Sequence, residues 1–317
     1  MGFDALLGNA RLKENLQCSV SRGKLSHFYL ISGPKGAGKH TLARLLGAAM
    51  VCSAQEKPCC VCPACRKVLS DTHPDFITID EPEKKTVSVE LVRNASEDIY
   101  IRPNEANKKI YLFPRAQDMT LPAQNAFLKI LEEPPAYGVF LLLTDNAQKL
   151  LPTVRSRCAE LSLYPLDSET LRKALQKDFP QADEKQLDGA IARSGGYLGQ
   201  AKQALADGTQ DLPQTAAFAQ AFASSDSASL LRVLVGMERW KRDALITAFE
   251  EWVALLQSAL LSRSGIEAIS SDARTISARR ASSEILGAIT HLQKAIEYAQ
   301  GNVSPAAICG YLVWALS

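Results

Sequence analysis

The sequence has no long apolar run and almost no net charge, and each absence excludes a class of protein. None of its apolar runs approaches 18 residues, so we expect no membrane-spanning helix. Its first five residues lack a basic segment followed by an apolar one, which predicts no secretory signal and a cytoplasmic protein. The 36 basic and 34 acidic residues leave a formal charge of +2. Any contact with nucleic acid must therefore come from a local patch.

Five of the eight cysteines lie between Cys52 and Cys65, which favours metal binding over a disulfide framework in a reducing compartment. The run Cys59-x-x-Cys62-x-x-Cys65 places three thiolates in one turn region, and Cys52 can supply a fourth. Four sulfur ligands with no open position are typical of a structural zinc site. We predict Cys52, Cys59, Cys62 and Cys65 as ligands, although the pattern alone leaves open whether Cys59 or Cys60 is used. A set of free thiols is the alternative.

Residues 31–41 carry almost the whole phosphate-loop pattern G-x-x-x-x-G-K-[ST]. An apolar run precedes them and leucines at helical spacing follow, which is the strand, loop and helix context that the motif needs. The position after Lys39 should hold a Mg²⁺-binding hydroxyl, but His40 occupies it and Thr41 comes one residue late. The loop is therefore predicted to suit a phosphate but to be poorly suited to hydrolysis, and the sequence leaves open whether it holds ATP or ADP. The candidate phosphate-binding residues are Gly33, Gly36, Gly38, Lys39, His40 and Thr41, with Thr144 near the γ-phosphate.

The third predicted strand, residues 108–113, is followed by Pro114 and Arg115. In phosphate-loop ATPases this strand ends in an acidic pair that assists Mg²⁺ and polarises the attacking water. Neither proline nor arginine can do so, and Asp118 lies too far along the chain to replace them. The sequence therefore predicts that hydrolysis is lost.

Strands alternate with helices over the first 165 residues, which predicts a parallel α/β sheet. We expect an α/β domain over residues 1–166, with the metal module inserted at about 52–65. Composition then shifts, and a small helical domain is predicted over 167–211, followed by an all-helical domain over 212–317. Residues 207–214 are predicted as a linker and 262–283 as a mobile loop.

Several motifs occur in one order: the phosphate loop, the cysteine cluster, His73-Pro74-Asp75, residues 125–135 (from Asn125 to Pro135) and Ser156-Arg157-Cys158. Together they resemble the bacterial replicative clamp-loader subunits of the AAA+ class. The resemblance covers residues 1–205 by motif and extends weakly to the C-terminal residues. It implies a P-loop (AAA+) domain with a zinc-binding module, a helical lid and a C-terminal collar domain that holds a ring together.

Within this family the departures resemble the delta-prime subunit rather than the ATP-hydrolysing gamma/tau subunit. His40, Pro114 and Arg115 stand at hydrolytic positions, and Gly199 falls where the hydrolysing subunit has a phosphate-sensing arginine. Arg157 is kept. The resemblance implies a non-hydrolysing scaffold, not an enzyme on its own, whose Arg157 is an arginine finger supplied in trans to a neighbouring ATPase subunit.

The resemblance also implies partners for the chain within DNA polymerase III. They are the gamma/tau and delta subunits of the loader, the sliding clamp, and primed DNA inside the ring. The helix N-termini near Ser88 and Thr120 are candidate contacts for DNA phosphates.

Three other interpretations stay open. The chain could be an active gamma/tau-like ATPase in which His40 or Thr41 replaces the lost metal ligand. It could be a zinc-dependent DNA-binding module with a vestigial loop, although such modules place a basic helix beside the metal and none is visible here. Finally, Arg157 could be a surface residue paired with a local carboxylate, and Arg155 is a second candidate for the finger.

Overall fold

The computed structural model describes residues 2–206, 213–263, 271–301 and 303–316. The chain divides into two compact units, one of Met1–Thr170 with Tyr197–Gly199, the other of Leu171–Gly196 with Gln200–Ser317. The second unit contains both the predicted lid helices and the C-terminal helices. The finer division into residues 167–211 and 212–317 therefore stays a prediction.

A sheet of five parallel strands forms the centre of the first unit, which confirms the predicted α/β sheet. The strand order is β2-β3-β4-β1-β5, so β1 lies between β4 and β5. The strands are β1 Phe28–Ser32, β2 Phe76–Thr78, β3 Lys109–Phe113, β4 Gly138–Thr144 and β5 Ala159–Ser162. Because all strands run in one direction, the segments that follow β1, β3 and β4 emerge at the same edge of the sheet.

Six α-helices and two short 3₁₀ turns accompany the sheet. Proline at the first or second position starts three of these helices, where its missing N–H costs nothing. The helices are α1 Ala10–Ser21, α2 Lys39–Val51, α3 Pro63–Leu69, α4 Val89–Asp98, α5 Leu121–Glu132 and α6 Pro152–Arg155, and the 3₁₀ turns are Ala116–Asp118 and Ala147–Lys149.

Alternate residues of the strands feed two apolar clusters, one on each face of the sheet. In β4, Leu141 packs in the cluster that contains α2, whereas Phe140 packs in the cluster that contains α5. The ring of Phe140 stacks on Phe28 and Tyr111 at 5.3 Å and meets Phe127 edge-on at 5.1 Å. This aromatic group ties three central strands to one helix, so the sheet edge behind the phosphate loop has a rigid support.

The second unit is helical throughout the part that the structure describes. Its helices are α7 Ser168–Asp178, α8 Glu184–Arg193, α9 Leu198–Ala206, α10 Pro213–Ser224, α11 Ser227–Met237, α12 Arg242–Arg263, α13 Ser271–Arg279, α14 Ser282–Gln300 and α15 Pro305–Leu316, of which α7 and α9 begin in the first unit. The prediction of a mobile loop over 262–283 is wrong for α13, because Ala273 and Ile276 are buried one turn apart and anchor it. Residues 207–212 of the predicted linker and 264–270 of the predicted loop lie outside the described residues, and Pro213 already begins α10.

Helix α12 is long enough to cross a membrane, and an 18-residue window within it has a mean hydropathy of 1.4, so by length and composition alone it could do so. Core helices of water-soluble proteins meet the same criterion. Phe249, Trp252 and Leu256 of α12 are fully buried in the helical core, and Trp252 stacks on Phe218 at 4.1 Å. The apolar character of α12 is thus accounted for by packing inside the second unit.

Candidate functional site: the phosphate loop, Arg157 and the cysteine cluster

The predicted phosphate loop lies between β1 and α2, at the carboxyl edge of the sheet. Gly36 and Gly38 have φ angles of 81° and 97°, a region that side chains other than glycine rarely adopt. The loop is also joined to the neighbouring strand, because the N–H of Gly33 donates to the carbonyl oxygen of Thr144 at 3.2 Å. The structure therefore brings Gly33, Gly36, Gly38, Lys39 and Thr144 together.

Lys39 is buried, and its ammonium group points back into the loop. Its Nζ lies 2.6 Å and 2.9 Å from the carbonyl oxygens of Gly33 and Pro34, and 2.5 Å from Asp145 Oδ1. Sequence reasoning missed Asp145. Its signal is its position directly after β4, at the edge of a parallel sheet where ligand-binding residues collect.

His40 and Thr41, the two positions considered for holding Mg²⁺, are poorly suited to bind it. Partial burial, together with the positive charges of Arg44 and Lys39, lowers the pKa of His40 below its ordinary value, so the imidazole is neutral near pH 7. Thr41 is exposed on the first turn of α2. The hydroxyl of Thr144 is buried and accepts a hydrogen bond from the N–H of Asn146 at 3.1 Å. Its role in the structure is to shape the turn after β4.

Arg115 follows β3 at the place where an ATPase carries its acidic pair. Its Nε and Nη2 donate to Asp80 Oδ1 at 3.0 and 2.6 Å, and its guanidinium also donates to the carbonyl oxygens of Glu81 and Lys84. The bond to Asp80 raises the pKa of Arg115 above its ordinary value. Asp118, the acid considered as a replacement, lies 3.9 Å from Arg115. This position is thus a cationic brace for the segment after β2.

Gly199 stands where a phosphate-sensing arginine was expected in a hydrolysing subunit. Its N–H donates to the carbonyl oxygen of Gly36 at 2.9 Å. A Cβ atom on Gly199 would lie 2.5 Å from Gly36 Cα and 2.8 Å from its carbonyl oxygen. No side chain fits at position 199 in this arrangement.

Arg157 lies just after α6 and is 41% exposed. Its Nη1 donates to the carbonyl oxygen of Thr153 at 3.0 Å, and its Nη2 lies 3.5 Å from Glu132 Oε1. The local carboxylate partner considered from the sequence is therefore present. Such an exposed pair contributes about 0–1 kcal/mol, so it can be given up for a stronger anion. Arg155, the second candidate, donates to Gln148 Oε1 at 3.0 Å.

The structure brings the four predicted cysteines together between α2 and α3. The sulfur atoms of Cys52, Cys59, Cys62 and Cys65 all lie within 4.8 Å of one another, and two of the separations are 3.6 and 3.9 Å. A tetrahedral zinc ion with Zn–S bonds of about 2.3 Å requires sulfur separations of about 3.8 Å. The donor set and its spacing therefore fit a zinc ion.

Backbone N–H groups favour the thiolate form of Cys59, whereas burial raises the pKa of Cys65 above its ordinary value. The N–H groups of Val61 and Cys62 lower the pKa of Cys59 to about 6, so Cys59 is ionised near neutral pH, as a metal ligand must be. Cys60 is directed elsewhere: its Sγ lies 3.8 Å from the carbonyl oxygens of Gly2 and Pro58. Of the two adjacent cysteines, Cys59 is thus the one that joins the cluster.

The motif His73-Pro74-Asp75 has a structural role that the sequence did not indicate. Asp75 is fully buried, and its carboxylate accepts hydrogen bonds from the N–H groups of Asn104, Glu105 and Ala106 at 2.6, 2.7 and 2.8 Å. Burial acts to raise the pKa of Asp75, but these donors outweigh it, and the pKa lies below its ordinary value. The motif therefore fixes the turn that leads into β3.

The two helix N-termini predicted to face DNA lie side by side. Ser88 and Thr120 are the N-cap residues of α4 and α5, and each hydroxyl accepts from a backbone N–H of its own first turn. Val87 and Met119, which precede them, form a parallel bridge. The N-termini of α4 and α5, which carry the positive ends of the helix dipoles, are therefore adjacent on the first unit.

The chain is similar in sequence to known proteins over about half of its length. A family model described as DNA polymerase III, delta subunit, matches residues 8–167, which is half of the chain. The chain is similar to the DNA polymerase III subunit gamma of Buchnera aphidicola, with 32% identity over 58% of this chain and 52% of that protein. It is similar to the subunit delta' of Bacillus subtilis, with 33% identity over 52% and 50%, and to the subunit tau of Escherichia coli, with 35% identity over 55% and 27%. The chain thus spans about half the length of the first two relatives and about a quarter of the third.

Proposed function

Because the chain belongs to the family described as DNA polymerase III, delta subunit, we propose that it is a delta-prime-like subunit of a replicative sliding-clamp loader. It would act in the cytoplasm as a non-hydrolysing scaffold. Its Arg157 would serve as an arginine finger for ATP held by a neighbouring gamma/tau subunit. The loader would use that hydrolysis to place the sliding clamp on primed DNA.

The main support for a loss of hydrolysis is the set of hydrogen bonds that fixes Arg115 after β3. Hydrolysis needs an acid at the end of β3 to polarise water and to balance Mg²⁺. Here a guanidinium occupies that position and is held by Asp80 and by two carbonyl oxygens. A positive group fixed in this way repels a metal ion and cannot accept a proton from water.

The exposure of Arg157 and its weak ion pair with Glu132 support the proposal that it acts on ATP bound by a neighbouring subunit. A neighbour's γ-phosphate carries more charge than one carboxylate and offers several oxygens to the planar guanidinium. Arg157 can therefore leave Glu132 for the phosphate at small cost. A finger of this kind contributes roughly 10³–10⁵ in rate.

The experiment is the DNA-stimulated ATPase rate of the reconstituted loader with this chain as wild type, Arg157→Ala or Arg155→Ala. Arg155 is the control, because it lies two residues away, is half-buried and has a partner of its own in Gln148. We expect Arg157→Ala to lower the rate roughly tenfold or more and Arg155→Ala to change it less than about twofold. Gel filtration checks that each variant still assembles. An unchanged rate for the assembled Arg157→Ala loader would refute the trans role.

A second candidate, an active gamma/tau-like ATPase, is favoured by one observation: gamma and tau relatives are as similar to this chain as delta' is. The two proposals predict different results for ATP hydrolysis by the isolated chain. A delta-prime-like chain, pure and with Mg²⁺ and DNA present, releases no phosphate from ATP. An active ATPase does so and loses the activity in Lys39→Ala.

Zinc is the metal that we propose for the cysteine cluster. Cys52, Cys59, Cys62 and Cys65 would hold the ion with four sulfur ligands and leave no position for water, so its role would be structural. It would tie the end of α2 to the start of α3. Metal analysis of the purified chain should give one zinc per chain, and none after substitution of Cys59 by serine.

Two surfaces of the chain suit the proposed partners. In the second unit, Leu231 and Val235 lie one turn apart on α11 and are exposed, as is Trp314 on α15, which packs against α11. Exposed apolar side chains of this kind favour association with other collar helices of the ring. In the first unit, the paired N-termini at Ser88 and Thr120 would offer N–H groups to phosphates of primed DNA. The proposal includes no contact with a membrane.

A further inference from the structure

Groups of the chain itself occupy the hydrogen-bonding positions of Lys39 in the phosphate loop. The ammonium group of Lys39 has three N–H donors, and its Nζ has three oxygen partners, on Gly33, Pro34 and Asp145. Lys39 is only 7% exposed. The partner carboxylate of Asp145 is 46% exposed, so a nucleotide phosphate could bind the buried ammonium group only by displacing this carboxylate or one of the two carbonyl oxygens.

Asp145 provides the negative charge that a phosphate would otherwise bring. It directly follows β4, whose last residue, Thr144, pairs with Ser32 at the end of β1. The neighbouring strand thus delivers a carboxylate to the loop. An ammonium group forms charge-assisted hydrogen bonds with carboxylate and phosphate oxygens alike, so Asp145 can occupy the place of the ligand.

The segment Tyr197–Gly199, which belongs to the first unit, closes the loop at a second point. The N–H of Gly199 bonds the carbonyl oxygen of Gly36, and the two backbones approach so closely that a Cβ on Gly199 would lie 2.5 Å from Gly36 Cα. The obstacle is backbone and cannot rotate away. Any residue larger than glycine at position 199 must separate the segment from the loop.

We propose that Asp145 and the segment Tyr197–Gly199 act together as a built-in occupant of the phosphate loop and keep nucleoside diphosphates and triphosphates out of it. The glycine loop then serves as a docking point for the chain's own backbone. This inference concerns the chain's own loop and is independent of whether Arg157 acts on a neighbour's ATP.

The test is the affinity of the full chain for a fluorescent ADP analogue. Three proteins are compared: wild type, the double variant Asp145→Asn/Gly199→Ala, and the double variant that also carries Lys39→Ala. We expect the double variant to bind at least tenfold more tightly than wild type and Lys39→Ala to remove that gain. Equal affinity of wild type and the double variant would overturn the proposal, as would a gain that survives Lys39→Ala.

Amide hydrogen exchange without nucleotide tests the docking contact separately. Gly199→Ala should speed exchange at residues 36–41 at least tenfold, because it separates the segment from the loop. The matched control is Gly189→Ala in α8, where a Cβ meets only the end of the Arg193 side chain, at 3.9 Å. Exchange that is equally slow in folded Gly199→Ala would overturn the proposal. The finger test measures a neighbour's ATP hydrolysis, so its failure would leave this result unchanged.

Discussion

The substitution Asp75→Asn should destabilise the first unit by about 3 kcal/mol at pH 7. The wild-type carboxylate is fully buried and accepts three backbone N–H groups at 2.6–2.8 Å. An amide keeps the shape but turns one acceptor into a donor, and one or two of these N–H groups lose their partner. Each buried donor left unsatisfied costs about 1–3 kcal/mol. Urea unfolding measures the change.

The assay can separate the two units, because Trp240, Trp252 and Trp314 all belong to the second one. Far-ultraviolet circular dichroism follows both units, whereas tryptophan fluorescence follows the second alone and should not change. The matched control is Asp71→Asn, which removes an exposed ion pair with Arg44 and should cost less than about 1 kcal/mol. A loss below 1 kcal/mol for Asp75→Asn would refute the assigned role of the motif.

The difference in unfolding free energy between wild type and Asp75→Asn should depend on pH in a definite direction. The pKa of Asp75 is lower in the folded chain than its ordinary value, so the unfolded chain binds the proton more readily. The stabilisation is therefore complete above about pH 4, the ordinary pKa of an aspartate, and is lost as the pH falls towards the folded value. The gap between wild type and Asp75→Asn should be full at pH 7 and should shrink below about pH 4.

Three further predictions concern the other sites. Cys62→Ser should abolish zinc binding and lower the melting temperature of the first unit by more than about 5 °C, whereas Cys60→Ser should leave the zinc content at one per chain. Arg115→Glu restores an acid after β3 but should yield no ATP hydrolysis by the chain alone, measured as phosphate release, and should increase proteolysis of residues 80–87 because the brace is lost. Trp252→Ala should destabilise the second unit by about 3–5 kcal/mol in urea unfolding, since it removes a fully buried ring.

Strands with continuous apolar sequence were predictable, but the edge strand β5 was not. β4 is buried at every residue, and its apolar run indicated a strand. β5 has only half-buried or exposed residues, including Glu160, and so it carried no apolar run to recognise. Helix α13 was missed for a related reason: its serines and arginines are typical of a loop, and only Ala273 and Ile276 reveal its buried face.

The residue types of the candidate site were visible in the sequence, but their partners were not. The phosphate-loop pattern predicted Lys39, and the cysteine spacing predicted the cluster but left open whether Cys59 or Cys60 is used. Arg157 was predicted only through the resemblance to clamp-loader subunits. Asp145, Glu132 and Asp80 are far in sequence from the residues that they contact, and only the order of the strands brings them there. The sequence also predicted that Arg115 does not support hydrolysis, but its role as a brace required the structure.

The most direct test of the central claim is single-turnover ATP hydrolysis by the reconstituted loader that carries Arg157→Lys in this chain. Lysine keeps the positive charge and loses the planar fork that matches phosphate oxygens. If Arg157 acts on a neighbour's γ-phosphate, hydrolysis should slow roughly tenfold or more while the loader binds as much ATP as before. A single-turnover rate equal to that of the wild-type loader would contradict the account.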